Sequence, residues 1–447
     1  MHAQGVWPWI IATFAALVPA TNALAAETGA CSPSSGAALA QLGCEVATAL
    51  GSKAEAALVV AAPLGTELEP RDPERLTSRL ASLVAGALGK GAAFEARPMT
   101  LAEARSRASA RRTGGLVHLN VRLARDHLEV TAELYDPPGR FWQRVKNPSP
   151  GVRAHSFATR PLDAEIRSFL PPVPLIARRT ERVSGSDADV IALACGDTDG
   201  DASSELVVVG RRRISVGRVR SGQLVVERSA GWNELAQIAP SPWREPVGSA
   251  WIAKPGAIEV GSTDRAEAVR LDATLTKLTS LGRALPWPGT GRCAQIGGLS
   301  LTSEATPCTA KAAERENAGG SDAIAGAEIV LPDGQRRSLR ARRSSTDKSV
   351  TVSDDSGKQA RLALAGAQLA LGDLDGNGVP ELLSSLDTLT PAEDAVIVHS
   401  WEADDKLTER LRIPVPAGVR ALTVCPLEEG GIAPIAIGTA EGLWIVR

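Results

Sequence analysis

Two short acidic stretches decide the fold. Residues 197–209 read DTDGDASSELVVV and residues 373–383 read DLDGNGVPELL. Each stretch carries oxygen-bearing side chains at positions 1, 3, 5 and 9. All of them are carboxylates except the amide of Asn377 at position 5 of the second stretch, and an apolar run flanks each stretch on both sides. Alternate residues of a tight loop can point to one side, so that their oxygens converge. The pattern therefore predicts two acidic loops, each joining two buried β-strands.

The converging oxygens predict a cation site in each loop. Carboxylates held this close repel one another unless a cation lies between them, and Ca²⁺ takes about six to eight oxygen ligands. The predicted side-chain ligands are Asp197, Asp199, Asp201 and Glu205 in the first loop and Asp373, Asp375, Asn377 and Glu381 in the second. The alternative is a pair of acidic turns that hold no metal.

An EF-hand does not fit these loops, because it needs a glycine at position 6 and a bidentate glutamate at position 12. Position 6 of the first loop is Ala202, and position 12 is Val208 in the first loop and Ser384 in the second. The β-rich flanks and the acidic residue at position 9 instead resemble the FG-GAP/VCBS repeat of integrin-α-type β-propellers. That resemblance implies that Ser203 and Val379 add backbone carbonyls to the two ligand sets.

Weaker copies of the same pattern recur through residues 186–447. The stretch that begins at residue 421 aligns with the one that begins at residue 192, and further copies surround Trp251 and Cys293. The copies are spaced by about 46 to 54 residues, a period typical of propeller blades. We expect a mainly-β propeller of about six blades over residues 186–447, with five or seven as alternatives.

Six cysteines, an even number, favour disulfides in an oxidising compartment. Their spacing favours Cys31–Cys44 and Cys293–Cys308 as local pairs. The repeat alignment places Cys195 opposite Cys425. Because the first and last blades of a closed ring are neighbours, we expect a disulfide between Cys195 and Cys425 that joins them. Free buried thiols are the alternative.

Residues 50–170 are predicted to form a small α/β domain with the order βαβαβ-ββ. Residues 56–62 form an apolar strand, and residues 72–88 form an amphipathic helix. A strand at 94–97, a helix at 100–112 and strands at 116–123, 128–134 and 141–145 follow. Three prolines among residues 171–174 predict a stiff linker over residues 171–185.

Residues 114–145, GGLVHLNVRLARDHLEVTAELYDPPGRFWQRV, resemble a recurring bacterial envelope pattern. In that pattern, two helices precede an apolar strand, a polar turn, a second strand and a glycine turn before an aromatic residue. The stretch is similar to the N-terminal domain of the periplasmic Tol translocation protein. The resemblance implies an envelope protein in which an α/β domain precedes a propeller.

The N-terminal residues predict export. Residues 7–18 form an apolar run that is too short to span a bilayer, and Ala23-Leu24-Ala25 follows it as a small-residue cleavage site. We expect a signal peptide over residues 1–25, an N-terminal segment over residues 26–49, and a periplasmic or secreted protein. The alternative is an uncleaved membrane anchor, since no lysine or arginine precedes the apolar run. No transmembrane segment is expected after signal removal.

Composition and motifs narrow the function. The net charge is −2 over 447 residues, which argues against a nucleic-acid partner. The sequence contains no nucleophile elbow, P-loop, dinucleotide-binding or zinc-protease motif. We expect a non-enzymatic binding or scaffold protein with a protein or glycan partner, in which Ca²⁺ stabilises propeller blades. The alternatives are a secreted hydrolase or lyase with its site in the propeller channel, and a Ca²⁺-dependent adhesin or lectin.

Three structural features would separate these functions. Ionisable groups clustered in the channel favour an enzyme, and a channel lined by small residues together with an apolar outer patch favours a binding protein. A tryptophan exposed beside the loop that begins at Asp373 favours a lectin, although we expect the recurring tryptophans to pack between blades.

Overall fold

A computed structural model describes residues 37–67, 70–89, 91–124, 127–136, 151–177, 179–185, 189–298, 300–302, 306–308, 320–402, 405–427 and 432–447. A small α/β region is followed by a large mainly-β region, as the sequence predicts. The predicted signal peptide and the strand predicted at 141–145 lie outside the described residues. No described helix combines the length and the apolar character needed to cross a membrane.

The α/β region is built on one sheet of six strands. Its strands are β1 (Ala57–Ala61), β2 (Gly65–Thr66), β3 (Ala93–Phe94), β4 (Gly115–Leu123), β5 (His127–Tyr135) and β6 (Val152–Pro161). The order across the sheet is β3-β1-β4-β5-β6, and β2 pairs with the end of β4. Strands β3, β1 and β4 are parallel, whereas β4, β5 and β6 are antiparallel.

Helices cover both faces of this sheet. They are α1 (Ala38–Leu50), α2 (Pro73–Leu88), α3 (Leu101–Arg111) and α4 (Ala164–Arg167), with a 3-10 turn at Gly51–Ala54. Helix α2 begins where the Asp72 carboxylate accepts a hydrogen bond from the amide of Arg75. Helices α1 and α2 pack on one face of the sheet, and α3 packs on the other. Strand β1 is therefore buried along its whole length, which explains its continuous apolar sequence.

Helix α1 and strand β6 were not predicted from the sequence. Helix α1 lies in the segment assigned to residues 26–49, and its Leu39, Leu42 and Val46 are fully buried in the core of the α/β region. The boundary predicted at residue 50 therefore falls inside a packed unit. Strand β6 pairs with β5 and extends the sheet. The α/β region therefore has one helix, α1, before the predicted elements and one further strand, β6, after β5.

The described residues of the mainly-β region form five sheets, called I to V in chain order. Sheet I has β8 (Val190–Gly196), β9 (Glu205–Gly210), β10 (Arg213–Arg220) and β11 (Gln223–Gly231), followed by helix α5 (Trp232–Leu235). Sheet II has β12 (Gly248–Lys254), β13 (Ala257–Ser262), β14 (Ala268–Leu271) and β15 (Lys277–Gly282). Sheet III has seven strands: β16 (Ala284–Trp287), β17 (Arg292–Gly297), β18 (Ser300–Leu301), β19 (Ser321–Val330), β20 (Arg336–Ser344), β21 (Val350–Asp354) and β22 (Gln359–Leu362).

Two further sheets complete the region. Sheet IV has β23 (Leu369–Gly372), β24 (Glu381–Ser385), β25 (Ala395–Trp401) and β26 (Leu407–Pro414), with a 3-10 turn at Pro391–Glu393. Sheet V has β27 (Val419–Val424), β28 (Ile435–Thr439) and β29 (Gly442–Val446). Its fourth strand is β7 (Thr180–Val183), which pairs with β29 and lies within the linker predicted over residues 171–185. The chain therefore enters the mainly-β region as the outer strand of its last sheet.

The first strands of the five sheets, together with β19 from the middle of sheet III, lie next to one another. Strand β8 contacts β12 and β27, strand β23 contacts β19 and β27, and strand β16 contacts β12 and β19. Each of these six strands thus contacts two of the others. Small residues permit the close approach: a side chain at Gly372 would meet Val424 of β27 at 2.8 Å, and Gly326 of β19 lies against the Pro288 carbonyl that follows β16.

Replacing Gly326 with alanine is expected to lower the free energy of unfolding by about 1–3 kcal/mol, because overpacking forces backbone to move. The methyl group would overlap the Pro288 carbonyl oxygen and approach the Trp287 ring at 3.0 Å. Gly297→Ala is the matched control, since a methyl group there meets nothing within 4 Å. Urea unfolding measures both variants. Equal stability of the two would contradict the close contact between β16 and β19.

Candidate functional site

The two acidic loops occupy the same position in two sheets. Loop 197–205 joins β8 to β9 in sheet I, and loop 373–381 joins β23 to β24 in sheet IV. In each, the glutamate at position 9 pairs across the ladder with the glycine before the loop: Glu205 with Gly196, and Glu381 with Gly372. The flanking strands are antiparallel neighbours, so the surroundings of the loops are those of a β-hairpin and differ from those of an EF-hand.

Loop 373–381 brings three carboxylates together. Oxygens of Asp373, Asp375 and Glu381 all lie within 4.8 Å of one another. The carboxylate of Asp373 accepts hydrogen bonds from the amides of Asn377 at 3.0 Å and Gly378 at 2.8 Å, which fixes its direction. This spacing suits three ligands of one hard cation, because hard cations such as Ca²⁺ prefer oxygen ligands.

Glu381 is the most buried member of this triad, with 1% of its surface exposed. Its carboxylate accepts hydrogen bonds from the Leu374 amide at 2.8 Å and from the Ser400 hydroxyl at 3.0 Å. Both donors are neutral. The hydrogen bonds therefore orient the carboxylate without compensating its charge.

Asn377 contributes differently from the carboxylates. Its side-chain amide donates to Asp375 at 2.8 Å, and its side-chain oxygen accepts a hydrogen bond from the amide of Val379 at 2.6 Å. The amide group thus braces the loop from inside. Whether the Asn377 oxygen and the Val379 carbonyl join a ligand set stays a prediction.

Burial makes the charged form of this triad unfavourable. Burial, reinforced by the charge of the neighbouring carboxylates, raises the pKa of Asp373 to about 6 and the pKa of Glu381 to about 8. The pKa of Asp375 is also raised, chiefly by burial. At neutral pH the triad consequently favours either a bound proton or a bound cation.

The metal-free protein is expected to lose about 1–2 kcal/mol of stability between pH 6.5 and pH 8, because the folded pKa of Glu381 lies above its unfolded value. The folded state holds the proton that the unfolded state has already released, so its advantage shrinks as the pH rises. Urea unfolding in EGTA measures this slope.

Glu381→Gln is the control variant, and it should flatten this slope because an amide does not titrate. The window begins at pH 6.5 because burial lowers the pKa of His118 and His399, which produces the opposite slope at lower pH. Stability that stays constant or rises in EGTA from pH 6.5 to pH 8 would contradict a buried Glu381 whose hydrogen-bond donors leave its charge uncompensated.

A cationic side chain from the α/β region approaches loop 373–381. Arg167, the last residue of α4, lies so close that a side chain at Gly376 would meet its Cδ and Nε at 2.9 Å. Asp373 and Asp375 favour its charge, whereas burial lowers its pKa. Its Nε donates to the carbonyl oxygen of Leu162 at 3.2 Å. No sequence pattern indicates this contact, because Arg167 belongs to a separate region of the chain.

Loop 197–205 has the same backbone plan. The carboxylate of Asp197 accepts hydrogen bonds from the amides of Gly200 at 2.6 Å and Ala202 at 3.0 Å. Oxygens of Asp197, Asp199 and Glu205 lie within 4.8 Å of one another, so the structure brings three of the predicted ligands together. Ser203, predicted to offer its carbonyl, donates its amide to the carboxylate of Asp201 at 2.8 Å.

Charge compensation distinguishes the two loops. Arg218 of β10 donates from Nη2 to Asp201 at 2.6 Å and from Nε to Glu205 at 2.7 Å. The pKa of Asp201 is lowered, first by the hydrogen bond from the Ser203 amide and then by Arg218. Arg228 of β11 adds a second cation, with Nη2 at 3.8 Å from Asp199. Neither arginine was predicted as part of the loop.

Disulfides join the strands at two places. Cys195 at the end of β8 is bonded to Cys425, which follows β27. Cys293 of β17 is bonded to Cys308. Both pairs match the sequence prediction. Cys44 is also in a disulfide, but its predicted partner Cys31 lies outside the described residues, so that pairing stays a prediction.

A cavity of about 490 Å³ is bordered by strands β8, β12, β19, β23 and β27. Alanine, glycine, leucine, isoleucine and valine make up most of its described lining. Four charged residues border it, Asp163, Arg167, Glu328 and Asp373. Residues 162–164 and 167 of the α/β region contribute to the lining, so this region borders the cavity.

Comparison with known proteins leaves the family open. No protein-family model matches the chain, and no curated protein matches it. The crystal structure of TolB from Acinetobacter baumannii matches with 12% sequence identity and a TM-score of 0.30, over 88% of this chain and 94% of that chain. A TM-score of 0.30 does not establish a shared fold.

Proposed function

We propose that this chain is an exported, non-enzymatic binding or scaffold protein, built on a six-bladed β-propeller that Ca²⁺ stabilises at loop 373–381. The observation that carries the calcium part of the proposal is the triad of Asp373, Asp375 and Glu381, whose charge the hydrogen-bond donors of its own sheet leave uncompensated. The partner is proposed to be a protein or a glycan.

The arrangement of the sheets supports a six-bladed propeller. Sheets I, II, IV and V have four strands each, and sheet III divides at the short β18 into groups of three and four. Six first strands then surround the axis. Pairing of β7 with β29 and the disulfide between Cys195 and Cys425 both join the beginning of the ring to its end.

The donor set of loop 373–381 fits Ca²⁺. Asp373, Asp375 and Glu381 would hold the ion through carboxylate oxygens, and the FG-GAP/VCBS resemblance adds Asn377 and the carbonyl of Val379. The bound ion would supply the positive charge that these carboxylates need to remain ionised at neutral pH. The role proposed for the ion is structural, since it would brace the turn between β23 and β24.

Disulfides support an exported location. Two described pairs and the bonded Cys44 fit an oxidising compartment, in agreement with the predicted signal peptide. We propose that the protein is periplasmic or secreted.

The cavity lining supports binding over catalysis. Its walls are mostly small and apolar, which suits contact with a partner segment, and the charged residues of its described lining are the four at its border, Asp163, Arg167, Glu328 and Asp373. Trp401 lies close to the loop, because its backbone amide donates a hydrogen bond to the Pro380 carbonyl. Its side chain packs in the core, and the residue is 8% exposed. That burial does not favour a lectin.

A cavity-filling variant tests the binding function. Thr423→Trp narrows the cavity from β27, whereas Thr408→Trp places the same side chain on the exposed strand β26. The full wild-type chain is used to capture components of an envelope extract. Each captured component is then identified, purified and titrated against the wild-type chain and the two variants. We expect Thr423→Trp to lower the affinity for a specific partner by at least about tenfold. Thr408→Trp should leave that affinity unchanged. Equal binding by both variants, or turnover of a polysaccharide that Thr423→Trp abolishes, would overturn the proposal.

A further inference from the structure

Loops 197–205 and 373–381 differ at one cross-strand position. In sheet IV, Ser400 pairs across the ladder with Glu381 and donates its hydroxyl to it. In sheet I, Gly217 pairs with Leu206, which places the next residue of β10, Arg218, beside Glu205. Arg218 therefore occupies in sheet I the position that neutral Ser400 occupies in sheet IV.

The guanidinium of Arg218 uses the oxygens that a metal would need. It bonds both Glu205, whose side chain is fully buried, and Asp201 at position 5 of the loop. The residue at position 5 of the other loop is Asn377, which carries no charge. Loop 197–205 thus has an extra carboxylate and an arginine bridging it to the glutamate, whereas loop 373–381 has neither.

Sheet II repeats this way of compensating a buried glutamate. Glu259 of β13 is 2% exposed and pairs across the ladder with Arg270 of β14. Arg270 donates to it from Nη2 at 2.6 Å and from Nε at 3.0 Å. No acidic loop accompanies this pair, so a cross-strand arginine can satisfy a buried glutamate here without a cation site.

We propose that Arg218 is the resident cation of loop 197–205 and excludes Ca²⁺ from it, so that the residue opposite the position-9 glutamate decides which loop takes metal. This inference rests on the proposed calcium site at loop 373–381. It replaces the expectation of two equivalent sites with a single ion per chain, bound where serine stands opposite the glutamate.

Counting bound Ca²⁺ by titration calorimetry on the full chain tests the inference. The wild-type chain is expected to bind one ion, and Asp375→Ala is expected to bind none. In that Asp375→Ala background, Arg218→Ser should restore one ion per chain, because it recreates at Glu205 the environment that Ser400 gives Glu381. Circular dichroism melts confirm that each variant is folded.

The outcomes separate this inference from the proposed function. Loss of binding in Asp375→Ala tests loop 373–381 alone. Two ions in the wild-type chain, or one ion remaining in Asp375→Ala, would overturn the role of Arg218 while leaving calcium binding in place. No ion in the folded double variant would overturn it as well. If the double variant does not fold, the number of Ca²⁺ ions bound by the wild-type chain and the loss of binding in Asp375→Ala decide whether loop 197–205 excludes Ca²⁺.

Discussion

Removing Ca²⁺ with EGTA at pH 7.5 is expected to lower the melting temperature of the protein by about 10 °C, and excess Ca²⁺ should restore it. The triad of Asp373, Asp375 and Glu381 is held together by the loop backbone, so its members repel one another when they are ionised. A ligand that binds only the folded state at about 100–1,000 times its Kd adds about 3–4 kcal/mol of stability. For a domain of this size, that corresponds to a shift of about 10 °C.

The Asp375→Ala variant separates this effect from general ion effects. It removes one of the three converging carboxylates, so its melting temperature should no longer respond to Ca²⁺ or EGTA. Asp272→Ala is the matched control, because Asp272 also organises a tight turn, where its carboxylate accepts hydrogen bonds from Thr274 and Thr276. That variant should lose some stability yet keep the full response to Ca²⁺. A wild-type melting temperature that ignores both additions would remove the basis of the proposed calcium site.

The sequence was sufficient to locate the acidic loops because their geometry is local. Ligand spacing within nine residues is set by the turn itself, and the apolar runs on either side specify the strands that hold the turn. Asp373, Asp375 and Glu381 are accordingly brought together as predicted. Charge compensation is not local: Arg218 reaches Glu205 only through the register of β9 and β10.

Other differences have similar causes. The contact of Arg167 with loop 373–381 depends on how the α/β region packs against the sheets, which no pattern within either region encodes. Strand β7 lies in the segment predicted as a proline-rich linker, and its role follows only from its pairing with β29. Helix α1 could have been predicted from the sequence. Its buried residues recur at the helical spacing that marks an apolar face: Leu39, Leu42, Val46 and Leu50.

Replacing Cys195 and Cys425 together with alanine is expected to lower the free energy of unfolding by about 5 kcal/mol. The two cysteines are separated by 230 residues in sequence, and in the chain-entropy model the stabilisation grows with the length of the loop that a disulfide closes. The bond holds β8 against β27, at the place where the proposed propeller would close. Urea unfolding of the wild-type and double-variant chains measures the loss.

The pair Cys293 and Cys308 provides the matched control. Only 15 residues separate them, so the same double replacement should cost about 3 kcal/mol in the same model. The comparison therefore tests loop length rather than the loss of a disulfide as such.

Equal losses of unfolding free energy in the two double variants would contradict a disulfide between Cys195 and Cys425 that closes the proposed propeller. Such a result would assign the closure to the pairing of β7 with β29, which joins the same two ends without a covalent bond. Deleting residues 180–183 in the alanine double variant then distinguishes the two devices. If the disulfide and β7 share the closure, the deletion costs more stability without the disulfide than with it, because either device alone still holds the ends together.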